Sequence, residues 1–425
     1  MKVRSAHIPR SVSRRWLLAG AVALALPGPA LADAVTDWNA ITNQLAGSAG
    51  GPPIQFRIFA IAQIAVHDAL NSIDPRYQTY TAVGATNPNA SPEAAVARAT
   101  ADVLLATLPA SQAGAINTAY ANYLLTLPAC PVAAPTCIED GEDAGSAAAD
   151  AILAMRTLDG SETPHLPYTL APGVGVYQPT PGPAPQFGGW GDVKTFSISN
   201  GRQFASGRTD FFNIKGKTYT ADYNEVKELG SSAVRSAAPD SEESLIARFW
   251  SGGGGNWNAV LRAAASPIEL DLWERARLFA LTNIAVHDAV VVTFGMKYRN
   301  NFWRPYTAIR WADDGNPDTE SDPEWTPYVT TPPYPDYPCG LPSVVGAGTE
   351  VLREYFETDE VPFTFTSTGL PPSVTRTYTS LSQAAADAAS ARVYSGIHFR
   401  TGCEMGVRQS QKVAQFVFQH ELKPR

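Results

Sequence analysis

The feature that most constrains the fold is a thirteen-residue segment that occurs twice. Arg57-Ile-Phe-Ala-Ile-Ala-Gln-Ile-Ala-Val-His67-Asp68-Ala69 returns 220 residues later as Arg277-Leu-Phe-Ala-Leu-Thr-Asn-Ile-Ala-Val-His287-Asp288-Ala289, with 9 of 13 positions identical. A segment so apolar reads as a buried helix, and its recurrence predicts two related helical bundles in one chain. The 425 residues leave room for a substantial core. Ala-rich stretches without the period-2 alternation of strands extend the helical reading to 33–45, 54–73, 92–108, 110–127, 141–155, 221–229, 242–250, 268–292, 342–355, 381–394 and 403–422. The expected fold class is therefore all-α, with an N-terminal bundle over 33–235 and a C-terminal one over 236–425. Between 157 and 204 the chain turns to Pro, Gly and aromatic residues, a long excursion of the kind that usually has a role.

Residues 1–32 stand apart. They carry five basic side chains and no acid, an apolar run from Trp16 to Leu26, and Ala30-Leu31-Ala32, which fits a small-residue cleavage site. Ser13-Arg14-Arg15-Trp16-Leu17-Leu18 resembles the twin-arginine export pattern, the plainer alternative being an ordinary secretory signal. No other apolar run reaches the ~18 residues needed to span a bilayer. The expected location is periplasmic or secreted. Removing 1–32 leaves 27 basic residues against 40 acidic, a formal charge of −13, which argues against nucleic acid or an anionic membrane as partner. An exported chain can oxidise its four cysteines. Cys130 and Cys137 flank a Pro/Ala loop that a disulfide could close.

The repeated His-Asp pair invites a metal reading, which the geometry disfavours. Neighbouring helix residues point in different directions, so His67 and Asp68 cannot chelate together, and the tight spacing of cation motifs is absent. Both pairs read better as buried, hydrogen-bonded polar residues.

Chemistry gathers in the last third. Lys297 precedes Arg304-Pro305, where Pro305 at a first helical position would start a helix with Arg304 at its mouth. Tyr334-Pro-Asp-Tyr-Pro-Cys339-Gly340-Leu341-Pro342 offers a second helix start. In a third segment Arg392 ends one helix, Ser395-Gly396 breaks it, His398 follows, and Thr401-Gly-Cys-Glu404 reads as a capping box. Helix N-termini present unpaired N–H groups and partial positive charge. Arginine forks and a lysine match the oxygens of a tetrahedral dianion, and Gly340 would let its N–H approach closely.

Lys297-x6-Arg304-Pro305 and Arg392-x5-His398, with the loop between them, resemble the signature of vanadium-dependent haloperoxidases and of the phosphatidic-acid-phosphatase type of acid phosphatase. Phe249-Trp250, the Tyr-Pro-Asp-Tyr-Pro run and the duplicated halves resemble the bacterial haloperoxidase-like branch. The resemblance implies vanadate, or phosphate in the same site, with Lys297, Arg304 and Arg392 on its equatorial oxygens and the Gly340 N–H as a further donor. It makes His398 the axial vanadate ligand, or the nucleophile that forms a phosphohistidine. Hydrogen peroxide with halide, or a phosphate ester, would be the small-molecule substrates, and the family's dimers point to a homodimer. Four positions depart from the pattern. Cys339 replaces serine, Leu341 the loop histidine, Ala391 a serine, and Gly402 an aspartate. Leu341 cannot transfer a proton, and a lost acid/base typically costs about 10²- to 10⁴-fold in rate. Gly402 removes a carboxylate that would orient His398. Cys339 and Cys403 fall in two segments that would line one site, so a disulfide joining them is expected. The implied function is a vanadate-dependent haloperoxidase with a modified proton relay; the alternatives are an acid phosphatase and a non-catalytic oxyanion-binding homologue.

Overall fold

The computed structural model describes residues 33–207, 209–251 and 256–425, so the export-signal reading of 1–32 lies outside the described residues. These residues belong to one compact unit. Its helices run α1 (Ala34–Leu45), α2 (Pro52–Ile73), α3 (Pro92–Thr107), α4 (Ala113–Leu124) and α5 (Cys137–Met155), then α6 (Lys217–Leu229), α7 (Ser232–Ala237), α8 (Glu242–Trp250) and α9 (Asn256–Ala265). The last third carries α10 (Leu272–Asn300), α11 (Pro305–Arg310), α12 (Gly340–Phe356), α13 (Leu381–Tyr394) and α14 (Arg400–His420). The protein is all-α in class. One antiparallel hairpin, β1 (Phe363–Ser367) with β2 (Val374–Tyr378), lies where no element was expected. Its strands alternate in burial, Phe363 and Ser367 inward and Thr364 outward.

The repeat supplies the central helices. α2 and α10 pack on each other, and from Phe279 to Met296 nearly every α10 side chain is buried. A capping box starts α10: Asp271 accepts from the Glu274 N–H at 2.9 Å and Glu274 accepts from the Asp271 N–H at 2.9 Å. Asn301, in the left-handed region at φ 48°, ends it. α10 is long and apolar enough to cross a membrane, but its most apolar 18-residue window is wholly buried inside the protein, so that apolarity belongs to the core.

The His-Asp pairs share one structural task. Asp68 accepts from the Tyr80 N–H at 2.8 Å and from the Thr81 N–H and hydroxyl at 2.7 and 2.6 Å. Asp288 accepts from the N–H groups of Phe196, Ser197 and Ile198 at 2.7, 2.8 and 3.1 Å. Each carboxylate thus fixes a loop onto its central helix, and its histidine Nδ1 lies beside it, at 3.0 Å for His67 and 3.2 Å for His287. For Asp288 the captured loop is the end of the Pro/Gly-rich excursion.

Some helix ends differ from expectation. α12 begins at Gly340, two residues before Pro342, whereas α13 has the expected bounds, Leu381–Tyr394. α11 stops at Arg310 because Trp311 turns to extended backbone. The capping box expected at Thr401–Glu404 does not form. α14 starts at Arg400 without a side-chain cap of its own. Instead the Thr401 N–H donates to Asp222 of α6 at 2.7 Å, a cap supplied from a distant element.

Candidate oxyanion site

Each expected cation sits at an element end. Lys297 occupies the last turns of α10, Arg304 is the N-cap of α11, Gly340 is the first residue of α12, Arg392 lies in the last turn of α13, and His398 stands between α13 and α14. Gly396, at φ 75°, makes the left-handed turn that returns the chain from α13 towards Arg304.

Arg304 ties the pieces together. Fully buried, it donates from Nε to the Tyr334 carbonyl at 2.7 Å and from Nη1 to the Ile397 carbonyl at 2.7 Å. Nη1 also lies 2.8 Å from His398 Nε2. A guanidinium can only donate, so Nε2 is the accepting nitrogen and the ring proton belongs on Nδ1. Burial, with the Arg304, Lys297 and Arg392 charges, holds the His398 pKa well below the imidazole range, so the ring is neutral. Its Nε2 lone pair is the one that could bind an added group.

Lys297, also fully buried, donates to the carbonyls of Pro335 and Asp336 at 3.1 and 2.8 Å and stands 5.2 Å from the centre of the Tyr334 ring. Burial, and next the Arg304 charge, depress its pKa far below the usual lysine value. Arg392 is pushed down to about 10, by burial first. Two donors here, Arg304 Nη2 and Arg392 Nε, are buried without a hydrogen-bond partner. Above Gly340 a Cβ would meet nothing within 4 Å. Gly340 and Arg392 line one cavity, and unpaired buried cationic donors are what a tetrahedral oxyanion would satisfy, since an unmet buried donor is costly.

The structure revises the expectation attached to Gly402. A carboxylate does face His398: Asp336 Oδ1 lies 2.8 Å from Nδ1. Asp336 is fully buried, and burial pushes its carboxyl up to about 7 against the pull of Arg304 and Lys297. A Cβ at Gly402 would stand 3.3 Å from Asp336 Oδ2. The glycine therefore makes room for an acid delivered from another segment. Sequence reasoning passed over Asp336, although it is the one charged residue between Trp325 and Glu350. Tyr334 was missed too: its carbonyl and its ring, 5.0 Å from the Arg304 guanidinium, help seat that arginine. Leu341 lines an adjoining cavity with Gly340 and Arg392, and among the described residues no histidine or carboxylate shares that lining. Ala391 is fully buried. The cysteines form two disulfides, Cys130–Cys137 and Cys339–Cys403. The second joins the residue before α12 to the first turn of α14, across the site.

The fold and these motifs have counterparts. The family described as the VCPO second helical-bundle domain matches residues 277–424, the segment that holds every site residue named above. The chain is 26% identical over 396 residues to the vanadium chloroperoxidase of Curvularia inaequalis, covering 75% of this chain and 64% of that protein. The last third of the chain thus matches this family, and the chain is similar to a vanadium haloperoxidase over most of its length. Among solved structures, a bacterial vanadium-dependent iodoperoxidase shares the fold with a TM-score of 0.76 at 23% identity, over 92% of this chain and 97% of that one. An apo bacterial vanadium-dependent chloroperoxidase does so at 0.70 and 16% identity, over 87% and 94%. The chain spans 64% of the length of the curated relative it matches.

Proposed function

We propose that this protein is an exported, vanadate-dependent haloperoxidase whose histidine is oriented by Asp336 and whose loop acid/base has been replaced by Leu341. The observation that carries the reading is the pair of buried, unpartnered guanidinium nitrogens, Arg304 Nη2 and Arg392 Nε. The residues fit the group: Lys297, Arg304, Arg392 and the Gly340 N–H would hold vanadate oxygens, and His398 Nε2 would be its protein ligand. Vanadate would supply Lewis-acid activation of hydrogen peroxide towards halide. The chain's own residues do the rest. Arg304 must release Nε2, which it occupies at 2.8 Å, by turning its Nη1 to the anion. Asp336 Oδ1, 2.8 Å from Nδ1, would favour the proton on Nδ1 and so the lone pair on Nε2. Burial disfavours the charged form of Lys297, and a dianion beside it would favour that form. The two disulfides support an oxidising compartment and hence export.

The test is halide-dependent peroxide consumption titrated with vanadate, beside hydrolysis of an activated phosphate ester. Turnover that requires vanadate and halide supports the proposal. Ester hydrolysis alone would assign a phosphatase acting through His398, and binding without either turnover would assign a non-catalytic oxyanion protein. A Leu341→His variant should gain rate; no gain would contradict the account of the altered relay.

A further inference from the structure

Leu341 leaves its cavity without a histidine or carboxylate, but one phenol joins that cavity to the buried cations. Tyr334 lines it together with Gly340, Leu341 and Arg392. The centre of the Tyr334 ring also lies 5.2 Å from Lys297 Nζ and 5.0 Å from the centre of the Arg304 guanidinium, two groups that do not reach the cavity themselves. The backbone of Tyr334 is fixed on both sides. Its carbonyl accepts from Arg304 Nε at 2.7 Å, and its N–H donates to the Pro332 carbonyl at 2.9 Å. The ring packs edge-on against Phe294 of α10, with centroids 5.1 Å apart. The hydroxyl, by contrast, is uncommitted. The hydroxyls of Tyr168 and Tyr298 donate to the carbonyls of Tyr177 and Gln186, whereas that of Tyr334 meets no such partner among the described residues. After burial, Tyr334 is the first group to act on the Arg392 charge, ahead of Arg304, which sets its oxygen on the side of Arg392. Arg392 Nε is one of the two unpaired donors of the oxyanion site.

We infer that the Tyr334 hydroxyl is a further donor to the bound oxyanion and the source of the proton that Leu341 cannot give. Lys297, Arg304 and Arg392 draw an anion to the surroundings of this ring, and an O–H aimed at an anionic oxygen makes a charge-assisted hydrogen bond. Tyrosine is among the side chains that move protons in general acid–base catalysis. The other hydroxyls of the cavity, on Ser251 and Thr330, are aliphatic alcohols and far weaker acids, and that of Ser251 already donates to the Ala247 carbonyl at 2.6 Å. The donor role rests on the oxyanion site, and the proton role on the haloperoxidase reading. In that reaction hydrogen peroxide, halide and the phenolic proton give hypohalous acid, water and phenolate. Halide supplies two electrons as the oxygen–halogen bond forms and the O–O bond breaks, and the phenolic proton goes to the oxygen that leaves as water. Solvent then returns a proton to the phenolate.

The test is Tyr334→Phe, which keeps the ring against Phe294 and the carbonyl that seats Arg304. Sulfate, a non-reacting tetrahedral dianion, is titrated calorimetrically into the full chain. The variant should bind it roughly ten-fold more weakly than wild type, at an unchanged melting temperature. Adding Leu341→His to the variant should restore most of that affinity, because the imidazole enters the same lining. Halide-dependent peroxide consumption with vanadate should fall about 10²-fold or more in Tyr334→Phe. It should then rise with the concentration of imidazolium added at fixed pH, a recovery that a merely structural hydroxyl would not show. Equal sulfate affinity in wild type and Tyr334→Phe would overturn the inference, and so would a rate loss that imidazolium leaves unchanged. Wild type that binds no sulfate would strike the oxyanion reading and this inference with it. Sulfate binding without turnover in wild type would strike the haloperoxidase chemistry and the proton role, and the sulfate comparison would still decide the donor.

Discussion

The two copies of the repeated helix do the same structural work, yet only the second leads into the site. Asp68 on α2 and Asp288 on α10 each accept three hydrogen bonds from a captured loop. After that they part. α2 ends at Ile73, whereas α10 runs on to Asn300 and carries Lys297 into the interior. At the 220-residue offset of the repeat, Lys297 corresponds to Tyr77 and Arg304 to Gly84. The first copy thus keeps the scaffold without the cations. A duplicated framework and a site grafted onto one copy are separable, and mutations should separate them.

The largest effect should fall on Arg304. Arg304→Ala removes the residue that joins Tyr334, Ile397 and His398, and truncating a buried charge partner costs about 2–5 kcal/mol. Sulfate affinity measured by calorimetry should therefore drop by more than roughly thirty-fold. Gly84→Ala, at the matching position of the first copy and facing open space, should leave it unchanged.

Next come the paired aspartates. Asp68→Ala and Asp288→Ala each leave three donors unpaired, at about 1–3 kcal/mol each. Denaturant unfolding should show a similar loss of at least about 3 kcal/mol for both, with sulfate affinity preserved. A loss of affinity in the Asp288 variant alone would show that scaffold and site are coupled.

The disulfides set the same halves against each other. Cys130–Cys137 closes a separation of 7 residues and Cys339–Cys403 one of 64. On loop entropy the first should contribute about 2.5 kcal/mol and the second about 4. Double Cys→Ser variants of each pair, unfolded in denaturant, should differ by that order; equal losses would remove the entropic account.

The smallest effect concerns pH. Asp336 titrates near 7 because of burial. Protonated, it puts no negative charge beside a bound dianion; ionised above that pH, it opposes one. Lys297 acts in the same direction, since it must be charged to hold the anion. Sulfate, whose charge is fixed, should therefore bind more weakly as pH rises through 7. Asp336→Asn should remove the step near 7. An unchanged profile would remove Asp336 from the account.

Periodicity and composition made the helices legible, because the Ala-rich apolar segments have few other ways to bury their faces. The site was legible as pieces, since Arg304 precedes Pro305 and the Arg392 segment is broken by Gly396, each marking a helix end. Its contacts were not. Asp336 stands 62 residues before His398, and only the folded chain brings them to 2.8 Å. The cap on Thr401 comes from Asp222, which no local motif could announce. Gly402 read as a loss, when it makes room for a carboxylate arriving from another segment. In β1 and β2 the alternation of Phe363-Thr-Phe-Thr-Ser and Val374-Thr-Arg-Thr-Tyr spans only five residues each, too short a pattern to mark a strand on its own.

The central claim is that Lys297, Arg304, Gly340, Arg392 and His398 converge on one tetrahedral oxyanion. An electron-density map of crystals grown with vanadate, phased to reveal the vanadium, tests it directly. The account predicts vanadium bonded to His398 Nε2, with Arg304 swung from that nitrogen to the oxygens and Arg392 Nε paired. Arg304 still seated on Nε2, with vanadium elsewhere or absent at saturating vanadate, would contradict it.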